Sequence, residues 1–138
     1  MKGVYLSMME IVVAILQIII AIGIIGFWLY FFKFENKNPE RTAVYLGFER
    51  SFPVADLGWI TPLLIISAVG LFLEEPFGIF FTVMSGSALV FLGLLDISFN
   101  LQQGGYKGKK SDTILNLTIN LICVIMGPLF LIYGWMNF

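Results

Sequence analysis

The chain has 138 residues and a mass of 15.5 kDa, with nine acidic residues, eight basic residues, no histidine and a formal net charge of -1. Hydrophobic residues make up 59% and charged residues 12%, with a mean hydropathy of +0.92, where soluble domains have about 45–50% and about 25%. A soluble fold this small buries too little of its surface to hide so much apolar area, so the composition excludes a soluble domain and marks an integral membrane protein.

The first apolar stretch, residues 11–32, lies between Glu10 and Lys33 and is interrupted only by Gln17. A bilayer core needs about 20 helical residues, so this stretch is expected to span. It is too long for a cleaved signal peptide. It also ends in Phe27-Trp28-Leu29-Tyr30-Phe31-Phe32 rather than in small residues.

Loop 33–51 follows. Asn38-Pro39-Glu40-Arg41 has the cap, proline and acid of a helix start. Val44 and Phe48 behind it are four apart, which predicts a short amphipathic segment on the membrane surface. Thr42, Val44, Leu46 and Phe48 also alternate, which leaves an extended segment as the alternative.

The second span is expected over 53–73, with Pro53 in its first turn, Ser51 as N-cap and a kink at Pro62. Glu74-Glu75-Pro76 makes a short hairpin into the third span, 77–99, which carries Asp96 near its end. Loop 100–112 contains Gly104-Gly105 and Gly108 and reads as a flexible turn. The fourth span, 113–137, has Ser111 or Asp112 as cap and Pro128 as a second kink site. Such short connections make consecutive helices antiparallel neighbours. The expected fold is all-α: residues 1–138 as one four-helix antiparallel transmembrane bundle with an interfacial segment in its first cytoplasmic loop.

Seven basic residues fall in loops 33–51 and 100–112 (Lys33, Lys37, Arg41, Arg50, Lys107, Lys109 and Lys110) against Lys2 alone on the other side. The positive-inside rule then places both loops in the cytoplasm and both termini outside, in the plasma or inner membrane. The two halves share no pattern that would indicate an inverted-repeat transporter.

Absent residues narrow the chemistry. Without histidine there is no Ser-His or Cys-His pair and no HExxH zinc site. The single Cys123 excludes an internal disulfide or a CxxC couple. No GxxxxGK[ST] or GxGxxG motif is present, and the charge balance gives no support for nucleic-acid binding. No cofactor and no metal is expected, and the catalytic residues of any enzymatic reading stay undefined.

The informative residues are polar groups inside apolar spans, where they are expensive. Asp56, Asp96, Asn100, Asn116 and Asn120 all fall toward the cytoplasmic ends of their spans, with Glu49 and Arg50 just outside. Trp59 lies one turn from Asp56, and Tyr106 is placed where it can fold back over the cluster. One reading is a polar pocket at the cytoplasmic leaflet, with Asp56 and Asp96 as its anionic centre and the asparagines as hydrogen-bonding walls. Such a pocket suits a small cation or a lipid with an amine or hydroxyl headgroup. The structural alternative makes Asp56 the N-cap of a shortened helix, sets Asp96 at headgroup level and uses the asparagines as interhelical glue. Arg50 either pairs with Asp56, Glu49 or a lipid phosphate, or serves as a positive-inside anchor.

Gly78, Thr82 and Gly86 form a small-residue stripe that permits close helix approach, within the bundle or across a homodimer. Gly127 and Gly134 play the same part in the fourth span. Trp28, Tyr30, Tyr133 and Trp135 are placed as an aromatic belt. In helix number, size and buried acids the chain is similar to EXPERA-type four-helix proteins, which bind or isomerise sterol-like lipids. No motif matches residue by residue, so that resemblance carries over no site.

Three functions are open at this level. The first is a protein binding or transporting a small cationic or lipidic ligand. The second is a membrane-embedded lipid-modifying enzyme using Asp56 and Asp96, and the third is an accessory subunit whose polar cluster fixes helix register.

Overall fold

The computed structural model describes residues 6–138, so Lys2, counted above for orientation, lies outside the described residues. Among the described residues the chain is helical, with no strand. Four helical stretches are long and apolar enough to cross a membrane: Met8–Lys37, Ala43–Phe72, Pro76–Gln103 and Lys110–Asn137. The chain divides into two compact units, one ending at Phe81 and one covering Thr82–Phe138.

In the first unit, α1 runs over Met8–Lys33. Ser7 and Glu10 start it with a capping box: the Ser7 hydroxyl accepts from the Glu10 N–H at 3.1 Å, and the Glu10 carboxylate accepts from the Ser7 N–H at 2.8 Å. The helix is apolar nearly all round, so its packing face is set by shape. Val13, Ala14, Gln17, Ala21, Trp28 and Phe31 form the buried stripe.

Loop 33–51 differs from expectation in its first half. Asn38 closes a turn by accepting from the Glu40 N–H at 3.0 Å and does not start a helix. The short helix α2 begins later, at Ala43–Glu49, where the Thr42 hydroxyl accepts from the Tyr45 N–H. A side-chain oxygen three residues before a free N–H is the N-cap geometry, and Thr42 meets it where Asn38, followed by Pro39, does not. The helical form of α2 removes the extended alternative. Arg41 is tied back, its Nε 2.6 Å from Glu35 Oε2 and its guanidinium 5.0 Å from the Tyr45 ring centre.

Beyond α2 the chain continues through the single turn α3, Pro53–Ala55, a π turn over Asp56–Ile60 and α4, Thr61–Phe72. Ser51 does not cap α3; its hydroxyl donates to the Gly47 carbonyl at 2.9 Å. The expected distortion at Pro62 takes the form of the π turn, with the Thr61 N–H reaching the Asp56 carbonyl five residues back. Proline has no N–H, and its ring crowds the carbonyl four residues earlier, here that of Gly58. Widening the preceding turn relieves that crowding.

The stretch ends as a Schellman motif. The Glu75 N–H bonds the Gly70 carbonyl and the Glu74 N–H the Leu71 carbonyl, while Glu74 takes the left-handed conformation at φ 56°. The start of α5, Pro76–Gln103, then packs against α4. A Cβ at Gly78 would sit 2.4 Å from the Leu71 nitrogen, so only glycine fits. Ser67 donates to the Gly78 carbonyl at 3.0 Å across the same contact.

In the second unit, the rest of α5 meets α6, Lys110–Asn137. Gly86 lies against Gly127 and Leu131, and Gly93 against Cys123 and Val124. The small-residue stripe is thus used within the chain. Thr82, Ser85, Leu89, Cys123 and Phe130 are buried there. Neither Ser111 nor Asp112 caps α6: the cap position is Lys109, with no side-chain bond, and Asp112 lies in the first turn where its charge favours the helix dipole. Pro128 stands inside a helix that continues past it.

Candidate functional site

The residues singled out from sequence fall into separate groups of contacts. In the first unit, Asp56 stands at the start of the π turn with helical dihedrals (φ -70°, ψ -46°), so it is not an N-cap. Its carboxylate accepts a hydrogen bond from the Trp28 indole N–H at 2.9 Å, joining α1 to the π turn. Both residues are buried, Trp28 at 2% and Asp56 at 6% exposure. The Trp28 ring thus faces the protein interior. A buried indole N–H needs an acceptor, and the wide turn beside Pro62 presents one.

Thr61 Oγ1, at the end of the same turn, is buried without a hydrogen-bond partner. Trp59 is more than half exposed, at 56%. Arg50 Nε donates to Asn36 Oδ1 at 2.7 Å, fastening loop 33–51 to itself, and Glu49 is half-buried at the end of α2.

The second unit holds the other four, Asp96, Asn100, Asn116 and Asn120. α5 ends on a left-handed glycine, Gly104 at φ 71°, with the Gly105 N–H returning to the Asn100 carbonyl at 2.9 Å. This turn folds the following loop back over the ends of α5 and α6. The Asn100 amide donates to the Asp96 main-chain carbonyl at 2.9 Å. A Cβ at Gly105 would overlap that amide, so any other residue there would displace the Asn100 side chain.

From α6, Asn116 Nδ2 donates to the Gly105 carbonyl at 2.9 Å, and one turn further on Asn120 Nδ2 donates to the Tyr106 hydroxyl. The side-chain amides of Asn120 and Asn100 lie near the Asp96 carboxylate. Asp96 is half-buried, whereas Asn120 is 2% and Asn100 6% exposed. Burial pushes the Tyr106 phenol above its ordinary pKa; the Asn120 bond opposes this, and the nearby Asp96 charge adds to it.

The donors and acceptors here do not balance. Asn120 donates from Nδ2 to Tyr106, while its carbonyl oxygen Oδ1 is buried with no hydrogen-bond partner. The nearby Asp96 carboxylate favours that orientation, because the NH2 side of an amide is the side attracted to an anion. A buried acceptor left unpaired costs about 1–3 kcal/mol, so the cluster is short of a donor. The sequence brought out the asparagines and Tyr106 but not the Trp28–Asp56 bond, whose only signal was a tryptophan in one span and an acid in the next.

In comparisons with protein-family models, with curated proteins and with solved structures, nothing matches the chain.

Proposed function

We propose that this is a small integral membrane protein that binds or transports a small cationic or lipidic ligand at the Asp96 cluster. In this reading its four spans run antiparallel, loops 33–51 and 100–112 face the cytoplasm, and the cluster opens at the inner leaflet. The observation that carries the proposal is the buried, unpaired Oδ1 of Asn120 beside a half-buried carboxylate. A cluster serving only as helix glue would be expected to satisfy its own groups. The Trp28–Asp56 bond joins α1 to the π turn within the protein, and we assign Asp56 a structural part.

The proposal is tested by thermal stability in mild detergent, before and after addition of a total polar lipid extract. Wild type is expected to gain stability on addition and Asp96→Asn to gain none, while Asp56→Asn, though less stable at the outset, still responds. Equal responses of wild type and Asp96→Asn would refute the assignment.

A further inference from the structure

Around Asp96 the protein offers one negative charge and a surplus of acceptors. The Asp96 carboxylate has about four lone pairs to fill, with two asparagine amides near it, and Asn120 Oδ1 has no donor at all. Two side-chain amides, those of Asn100 and Asn116, are committed to main-chain carbonyls of Asp96 and Gly105. The Asn120 oxygen shares a carbon with the nitrogen that bonds Tyr106, and that amide lies near Asp96, so the unfilled acceptor borders the charged one. A complementary group must therefore bring positive charge and more than one donor.

We infer that the ligand presents a primary ammonium group, which donates to the Asp96 carboxylate and to Asn120 Oδ1. This inference rests on the ligand-binding proposal above and names the ligand's chemistry. A bare metal ion fits less well. One carboxylate and one amide oxygen fall far short of the 6–8 oxygens typical of calcium, and no group of three or more His, Cys, Asp or Glu side chains that could hold a metal occurs among the described residues. A quaternary ammonium has the charge but no donor, and would leave the Asn120 oxygen buried and unpaired. A hydroxyl has a single donor and no charge to set against Asp96.

A lipid series separates these cases at nearly constant headgroup charge. Phosphatidylethanolamine, its N-methyl and N,N-dimethyl derivatives and phosphatidylcholine, with matched acyl chains, carry three, two, one and no N–H donors. Each is offered to the detergent-solubilised protein, and retention is read by native mass spectrometry. Leaving one buried acceptor unpaired weakens binding by about tenfold or more. Phosphatidylethanolamine is thus expected to be retained at least about tenfold more strongly than phosphatidylcholine, with the methylated lipids between them.

Asn120→Leu keeps the Asp96 charge and is expected to flatten the series. Asn137→Leu, at the far end of the same helix, is expected to keep it. Should Asn120→Leu fail to insert, the wild-type series decides alone. Ethanolamine and choline added as competitors identify the source of the ammonium: displacement by ethanolamine indicates a soluble amine, and its failure indicates a lipid headgroup.

Equal retention of phosphatidylethanolamine and phosphatidylcholine would overturn the inference. So would a retained mass without an amine, which would nevertheless leave the ligand-binding proposal standing. Retention of no mass at all, from this series or from a total lipid extract, would overturn both.

Discussion

In the first unit the Trp28 indole N–H donates a hydrogen bond to the Asp56 carboxylate and so links α1 to the π turn. At 2.9 Å between two residues no more than 6% exposed, it is a charge-assisted bond if Asp56 is ionised and a neutral one if not. Bonds to charged groups contribute about 1.5–3 kcal/mol in soluble proteins, whereas interhelical bonds in membranes average about 0.6 and reach about 1.7 kcal/mol. A coupling of about 1 kcal/mol is therefore expected from a double-mutant cycle of Trp28→Phe and Asp56→Ala. Each single change should destabilise by more than that, because Trp28→Phe takes a donor from a buried carboxyl group and Asp56→Ala removes the acceptor of a buried indole N–H. Reversible unfolding in mixed detergent micelles, followed by circular dichroism, gives the four free energies. Additivity within about 0.3 kcal/mol would refute the claim that the pair is coupled. Brominated lipids add an independent check: Trp59 and Trp135, 56% and 80% exposed, should be quenched, and Trp28 spared.

Two further predictions concern the loops. Glu74 occupies the left-handed position of a Schellman motif, where glycine carries no Cβ penalty, so Glu74→Gly should stabilise the protein by about 0.5–1 kcal/mol in a thermal melt. The Tyr106 phenol is held above the ordinary tyrosine value of 10.0. A difference titration at alkaline pH, wild type minus Tyr106→Phe, should therefore show a midpoint above that value. With the folded-state value raised, the contribution to stability is fully present below pH 10.0 and is lost as pH rises through the folded-state midpoint. The predicted extra loss of stability at alkaline pH should be absent in Tyr106→Phe.

The spans were legible because length and hydropathy alone decide them: four apolar runs predict four helices, and four long apolar helical stretches are found. Helix starts were harder to read. Ser51, Ser111 and Asp112 have the right chemistry for caps, but a cap depends on where the first free N–H falls, and Thr42 and Lys109 occupy those positions. Pro62 announced a distortion. That it would be a π turn presenting Asp56 to Trp28 follows only from how α1 packs against that segment, which apolar runs without periodicity do not encode. Around Asp96 the sequence offered more. Asn116 and Asn120 are four residues apart on one helix, and the glycines after Asn100 indicate a turn that can bring Tyr106 back. Which amide atom would be left unpaired depends on hydrogen-bond directions that residue identity does not specify.

The central claim is that Asp96, and not Asp56, holds a ligand. Native mass spectrometry of the protein released from nanodiscs, comparing wild type, Asp96→Asn and Asp56→Asn, tests it most directly. The account predicts a discrete extra mass on wild type and Asp56→Asn that is missing from Asp96→Asn. The same mass on all three proteins, or on none, would contradict it.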